Sequence, residues 1–437
     1  MLQRGKLLAG ALGALALLAG SSFAQDAAPQ VASVIHAGRL LADASNGRVL
    51  TEQSILVGAD GRIIGIEAGY VTPPGATIID QRRRFVLPGL IDSHVHLTSE
   101  LGPNQLLDEV QLSPSDQAMR GVQNAQITLG AGFTTVADLG ASNDAIFALR
   151  RAINEGRVQG PRIIASGSSV TPHGGHGDAN GFSPAVVDVL RSPSACSGAD
   201  DCRRAVRRQI QAGADVIKIT ATGGVLSNTA AGVEQQFTDA ELAAIVESAH
   251  AMGRRVTAHA HGAGGINAAL RAGVDSIEHG SYTDAESLRL FRRNDAYLVP
   301  TILAGVTVEE MAAAGGVLTP AQAQKAREVG TRMRQSIQNA RRAGVRVAFG
   351  TDSGVSRHGI NAREFQFLVE GGYTPTEAIR IATVDAADHL QLGDVTGRIA
   401  AGYAADIIAV DGDPTQDVAV LMNVPFVMAR GATFKNE

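Results

Sequence analysis

The chain has 437 residues, of which 45% are hydrophobic, 19% charged and 4% aromatic. That balance excludes a disordered chain, and 50 glycines without a triplet period exclude collagen. The formal net charge is −5, and the one basic run, Arg82-Arg83-Arg84, reads as a solvated strand end, so nothing here has the electrostatic footprint of a nucleic-acid binder.

Residues 1–24 read as a secretory signal peptide. Arg4 and Lys6 precede an uncharged Ala/Leu-rich run from Leu7 to Gly20, and Ser22-Phe23-Ala24 offers small residues for cleavage after Ala24. The apolar run is roughly 14 residues, short of the about 20 that span a bilayer. The expected compartment is periplasmic or secreted, with no membrane segment in the mature form. Cys196 and Cys202 are the only cysteines. With no histidine nearby they make a poor metal pair, which leaves a loop-closing disulfide or two free thiols.

Residues 25–88 look all-β. Short β-branched runs (Val31–His36, Ser54–Val57, Arg62–Ile66) are separated by turn signals at Asn46-Gly47 and Asp60-Gly61. Residues 397–437 share this texture, with a buried-strand run at Asp406–Val410. The two segments are expected to pair as one small β-sandwich domain built from both termini. Between them, residues 89–396 alternate. Strand-like runs fall at Phe85–Leu97, Phe133–Asp138, Arg162–Ser166, Val216–Thr220, Arg255–His261, Ser276–His279, Tyr297–Thr301 and Val345–Thr351. Helix-period segments such as Asp116–Leu129, Cys202–Ala212, Asp239–Met252 and Ala321–Ala343 separate most of them, and several end in Ala-Gly. Overall this is an α/β pattern, a (β/α)8 TIM barrel, whose active groups belong at the C-terminal strand ends.

Polar residues break the apolar runs at those ends. In Leu90-Ile-Asp92-Ser-His94-Val-His96, His94 and His96 share one face of a strand, which suits a divalent metal. Lys218 sits within the apolar run Asp215–Thr220. Burial lowers the pKa of such an amine, and a neutral amine captures carbon dioxide as a carbamate whose two oxygens bridge two metals. Pairing with an acid such as Asp215 is the alternative. His259 and His261 share a face of the next run, His279 ends the sixth, and Asp352 ends the last in Gly350-Thr351-Asp352-Ser353.

In this order, His-x-His, Lys, His, His, Asp, the residues resemble the amidohydrolase superfamily over nearly the whole mature chain. Asp215–Ser227 and Ala258–Gly262 resemble its metal-dependent dipeptidase branch, which includes Xaa-Pro dipeptidases and ochratoxin A-hydrolysing amidases. The resemblance implies that His94, His96 and Asp352 hold the more buried of two divalent metal ions, zinc by default. His259 and His279 would hold the other, and carboxylated Lys218 would bridge both. His261 would face substrate, and Asp352 would move protons. The implied activity is metal-dependent release of a C-terminal amino acid from a dipeptide or N-acyl amino acid, including the amide to Phe in ochratoxin A. A homo-oligomer, up to an octamer, is implied as well. Two alternatives stand beside it: a hydrolase of cyclic amides, imidazolones or lactones on the same scaffold, and a metal-free binding protein.

Further pocket candidates are His173 and His176, in the glycine-rich loop after the third strand, and Val225-Leu226-Ser227-Asn228 after the fourth. Arg357 and His358 follow the eighth. His36, His250 and His389 lie away from strand ends and are assigned structural or surface roles.

Overall fold

The computed structural model describes residues 30–227 and 232–437; the expected leader and Asn228 lie outside them. Strands β1 (Val31–Leu41), β2 (Val49–Gly58), β3 (Ile63–Ala68) and β4 (Thr77–Pro88) open the chain. They join three C-terminal strands in a seven-stranded sheet. β1 pairs with β2 antiparallel and with β4 parallel, while Phe85–Pro88 of β4 pairs antiparallel with Ile407–Val410. The two ends of the sheet approach each other: Arg62 bridges to Ala404, and Ala405 N–H donates to the Gly61 carbonyl. Ile55 and Val57 from one end share an apolar cluster with Phe426 and Met428 from the other, so the sheet folds over its own core.

The barrel follows at once. The single run expected over Phe85–Leu97 is divided at Gly89 into β4 and β5 (Leu90–Val95). The pairing partner changes there, Gly89 N–H donating to Asp406 O and Leu90 N–H to Gly132 O, and only glycine fits, since a Cβ at Gly89 would lie 2.2 Å from Thr134 Oγ1. Then come β6 (Phe133–Asp138), β7 (Arg162–Ala165), the short β8 (Thr171–Pro172) and β9 (Ala195–Cys196), and β10 (Ile217–Thr220). β11 (Val256–Ala260), β12 (Ser276–His279), β13 (Tyr297–Val299) and β14 (Arg346–Val347) complete the ring, and β15 (Ile407–Val410), β16 (Phe426–Ala429) and β17 (Ala432–Asn436) return to the terminal sheet.

β5-β6-β7 and β10-β11-β12-β13-β14 form two parallel sheets. Both seams are bridged in parallel, Val170 to Ile219 on one side and Val95 to Ser353 on the other. The eight strands therefore enclose one core, which helices such as 114–130, 199–212, 239–251, 263–272 and 320–343 cover from outside. Helices 199–212 and 263–272 stop at Gly213 and Gly273, whose φ of +112° and +94° end each helix in the left-handed conformation and turn the chain into the next strand. β14 is shorter than the expected Val345–Thr351, because the chain beyond Val347 pairs through single contacts, Ser93 N–H to Phe349 O and Asp352 N–H to His94 O.

Cys196 and Cys202 form a disulfide, with Cα atoms 5.1 Å apart and both residues buried. It ties the end of β9 to helix 199–212. Among the described residues, no helix is long and apolar enough to cross a membrane.

Candidate active site

The C-terminal strand ends meet around a cavity of about 380 Å3. His94, near the end of β5, and His96, just past it, project into it with ring centroids 5.4 Å apart. His94 Nδ1 donates to Glu278 Oε2 at 2.8 Å, and His96 Nδ1 donates to the Gly140 carbonyl at 2.8 Å. A carboxylate and a carbonyl can only accept, so each Nε2 is left with an inward lone pair. His279 Nδ1 is likewise bonded to Thr301 Oγ1 at 2.6 Å, and His261 Nδ1 to Ser281 Oγ at 2.7 Å. His259 Nε2 lies 3.3 Å from the Gly223 carbonyl.

Lys218 on β10 is 4% exposed, with Nζ 3.4 Å from His94 Nε2. Burial pushes its pKa down, which favours the uncharged amine. Burial also lowers the pKa of His94, His259 and His279, takes that of His261 to about 3 and that of His176 to about 4. These five imidazoles are thereby held neutral, the form that binds a cation. His96 is the exception: burial works to lower its pKa, but Asp352 beside it outweighs that and raises it. Burial works to raise the pKa of Asp352, but His94 and His96 outweigh it and hold the carboxyl below its ordinary value.

These residues fit a metal. Asp352 Oδ1 is buried without a hydrogen bond, yet it sits 3.1 Å from His96 Nε2 and 3.5 Å from His94 Nε2. Lone pairs crowded this closely repel unless a proton or cation lies among them. His94, His279 and Asp352 each offer a ligand atom within 4.8 Å of the others, as do His259, His261 and His279. His279 thus belongs to both groups, and His261 stands as close to the second as His259 does. Three non-glycine residues at this rim take left-handed backbone: His279 (φ +70°), Thr301 (φ +48°) and Asp352 (φ +57°). Such strain is held only where surrounding contacts over-determine it, and it clusters at functional sites.

The remaining pocket candidates divide. His176, Val225 and Leu226 line the cavity, and His176 packs 4.2 Å from the His259 ring. His173 does not reach it: the turn at Gly174-Gly175 separates it from His176, and its exposed ring bonds Ser197 Oγ instead. Arg357 is exposed beyond the tight turn that follows Asp352. His358 is buried away from the cavity, with Nε2 3.1 Å from the Ser99 carbonyl. His36, His250 and His389 also stay outside it.

Four buried carboxylates escaped the sequence reading. Glu278 orients His94 and also accepts from Thr257 and Ser276. Asp92 accepts from the Thr351 hydroxyl at 2.6 Å, from Asn361 and from the His94 backbone, and so joins the first strand to the last. Asp138 accepts from Leu97 N–H at 2.7 Å, just beyond His96. Glu364 accepts from Ile302 and Leu303 N–H at 2.9 and 2.7 Å, next to the Thr301 that bonds His279. Their one signal in sequence was an acid within or beside an apolar run.

An eight-stranded parallel barrel with histidines, a buried lysine and an aspartate at its mouth is the build of a hydrolase whose site can accommodate a metal ion. The chain belongs to the amidohydrolase family, whose profile matches residues 85–433, and is accordingly a hydrolase of amide bonds. It is similar to ochratoxinase of Aspergillus niger, at 32% identity over 92% of this chain and 86% of that protein. Among solved structures it resembles a Xaa-Pro dipeptidase with methionine bound in its active site, at 38% identity and TM-score 0.87 over 92% of this chain and all of the other (100%). It also resembles a prolidase complexed with N-methylphosphonate-L-proline, at 31% identity and TM-score 0.84 over 93% of this chain and 100% of the other.

Proposed function

We propose that the protein is a metal-dependent amidase that releases a C-terminal amino acid from dipeptides or N-acyl amino acids, with the amide to Phe in ochratoxin A within its range. The observation that carries this reading is convergence. Five strands bring His94, His96, Lys218, His259, His279 and Asp352 to one cavity, with Asp352 Oδ1 lacking any hydrogen bond among facing nitrogens. Similarity to an ochratoxinase and to dipeptidases supports the substrate class.

In this reading His94, His96 and Asp352 would hold one divalent ion, His259 and His279 would hold the other, and Lys218, once carboxylated, would contribute anionic oxygen ligands, with zinc as the proposed metal. When bound, such a pair supplies Lewis acidity and a hydroxide available near neutral pH. Asp352 takes the proton of the nucleophile and delivers it to the leaving amine. Ser281 fixes the ring of His261, which faces the substrate together with His176. No arginine lines the cavity among the described residues; these two imidazoles are candidate donors to a free carboxylate, alongside Gln105, Ser169 and Ser227. Glu278, Asp92 and Glu364 position the ligands and touch no substrate.

We further propose that residues 1–24 are a cleaved leader and that the mature enzyme works in the periplasm or outside the cell; the Cys196–Cys202 disulfide, which persists in such a compartment, supports this reading. A homo-oligomer, up to an octamer, is part of the proposal and is read by light scattering. The activity is tested by incubating purified protein with an Xaa-Pro dipeptide, an N-acyl-Phe, ochratoxin A and a lactone, and measuring released amino acid. Turnover of the amides supports the reading; turnover of the lactone alone refutes it.

A further inference from the structure

The chain holds only four lysines, Lys6, Lys218, Lys325 and Lys435, among 38 basic residues. Lys218 is at the candidate site. Lys325 lies on helix 320–343, half-buried, and its ammonium donates to the Gly224 carbonyl at 2.7 Å and to the Ser227 carbonyl at 2.6 Å. One turn earlier on that helix, Gln322 Nε2 donates to the Leu226 carbonyl at 2.5 Å. Three carbonyls of one four-residue turn are therefore held by two side chains from a single helix about 100 residues further along the chain. The turn is also closed on itself, since Ser227 Oγ donates to the Gly224 carbonyl and accepts from Gly224 N–H. Gly224 allows the close approach of this turn to the site, because a Cβ there would lie 2.3 Å from the His176 ring.

What the turn carries is Leu226, which lines three cavities. The first is the candidate active site of about 380 Å3, the second a lobe of about 420 Å3 bounded by Phe182, Leu190 and Leu318, and the third one of about 230 Å3 bounded by Glu100 and Arg120. Gln322 itself borders the 420 Å3 lobe. Leu226, with Gln105, thus stands between the catalytic mouth and an outer lobe of mixed polarity. A small amide fits the inner space alone, whereas a bulky acyl group needs both.

From this juxtaposition we infer that Leu226 determines which acyl groups are accepted, and that Lys325, assisted by Gln322, is the positioning residue that latches it. The inference rests on the amide-hydrolase reading above. Charge-assisted bonds to carbonyls are among the stronger hydrogen bonds, and here they fix a turn whose Val225 and Leu226 both line the inner cavity, with Leu226 alone of the two reaching the outer lobes. Releasing the latch lets Leu226 move aside and joins the inner and outer lobes, while the strand-borne histidines stay where they are.

The test compares wild type, Lys325→Met, Lys325→Arg and Gln322→Ala as metal-loaded full chains, with two substrates that share phenylalanine as the released amino acid, N-acetyl-Phe and N-naphthoyl-Phe. Lys325→Met is expected to raise the ratio of kcat/KM for the bulky over the small amide by about fivefold, through KM, with kcat for N-acetyl-Phe and metal content unchanged. Lys325→Arg, which keeps the cation and its donors, is expected to restore the wild-type ratio. Hydrogen exchange at the backbone amides of residues 223–227 is expected to quicken in Lys325→Met and in Gln322→Ala. An unchanged ratio in folded Lys325→Met, or unchanged exchange in both variants, overturns the latch. If wild type cleaves neither amide, the functional reading fails instead, and the exchange measurement still decides the latch. If Lys325→Met does not fold, Gln322→Ala carries both readouts.

Discussion

Glu278→Gln isolates one charge behind one candidate ligand. Glu278 is fully buried; Oε2 accepts from His94 Nδ1 at 2.8 Å, and Oε1 accepts from Thr257 and Ser276. Glutamine has nearly the same shape. Its carbonyl can still accept from His94, and its NH2 can donate to the two hydroxyls, whose protons are free to rotate. What changes is a charge-assisted bond, worth about 1.5–3 kcal/mol, for a neutral one of about 1 kcal/mol. The difference of about 1 kcal/mol or slightly more corresponds to roughly tenfold weaker metal binding at His94. Glu278→Leu removes the partner altogether, leaves His94 Nδ1 unpaired and free to turn, and is expected to cost about a hundredfold. The assay is competition for zinc against a chromophoric chelator, with thermal unfolding of the metal-free proteins as a control. If both variants hold zinc as tightly as wild type, His94 is not oriented by Glu278 and the argument from its fixed Nε2 collapses.

Asp352→Asn keeps an oxygen at the site but cannot carry a proton, so with metal loading verified its kcat should fall by about a hundred- to ten-thousandfold, measured by released amino acid. Cys202→Ser opens a short loop of sequence separation 6 and should lower stability by about 2 kcal/mol in urea unfolding; a reducing agent should then do nothing further to the variant. His389 is buried with Nδ1 unpaired, and burial takes its pKa down to about 3, whereas in the unfolded chain it titrates near 6.5. Between those values the unfolded state binds the extra proton, so stability is lost as pH falls through that window. In chelator-treated protein, His389→Leu should therefore lose about 2 kcal/mol less than wild type between pH 7 and pH 5, and equal losses would contradict this.

The strands were legible because each barrel strand is a short apolar run bounded by turn signals and interrupted at its C-terminal end by a polar residue. His94, His96, Lys218, His259, His279 and Asp352 all stood out in that way, and the structure brings them to one cavity. Glycines after helices marked where strands restart, as at Gly213 and Gly273. The division at Gly89 was not legible, since it reflects a change of pairing partner from Asp406 to Gly132, residues far away in the sequence. Nor was the orienting role of Glu364, whose partners Ile302 and Leu303 lie some 60 residues away. In the loop after the third strand, His173 and His176 could not be told apart, because no helix or strand period says which side chain faces inward. Lys325 lies within the helix-period segment Ala321–Ala343 and drew no notice in the sequence; only the packing of that helix against the Gly224–Ser227 turn gives it a partner.

The most direct measurement is the metal content of the gently purified full-length protein, wild type beside Lys218→Ala, with secondary structure monitored in both. The account predicts close to a pair of divalent ions per wild-type chain, and in folded Lys218→Ala a loss of metal together with loss of amide hydrolysis. Wild type that is active with less than about half an ion per chain, or Lys218→Ala that keeps its metal and its turnover, would contradict it.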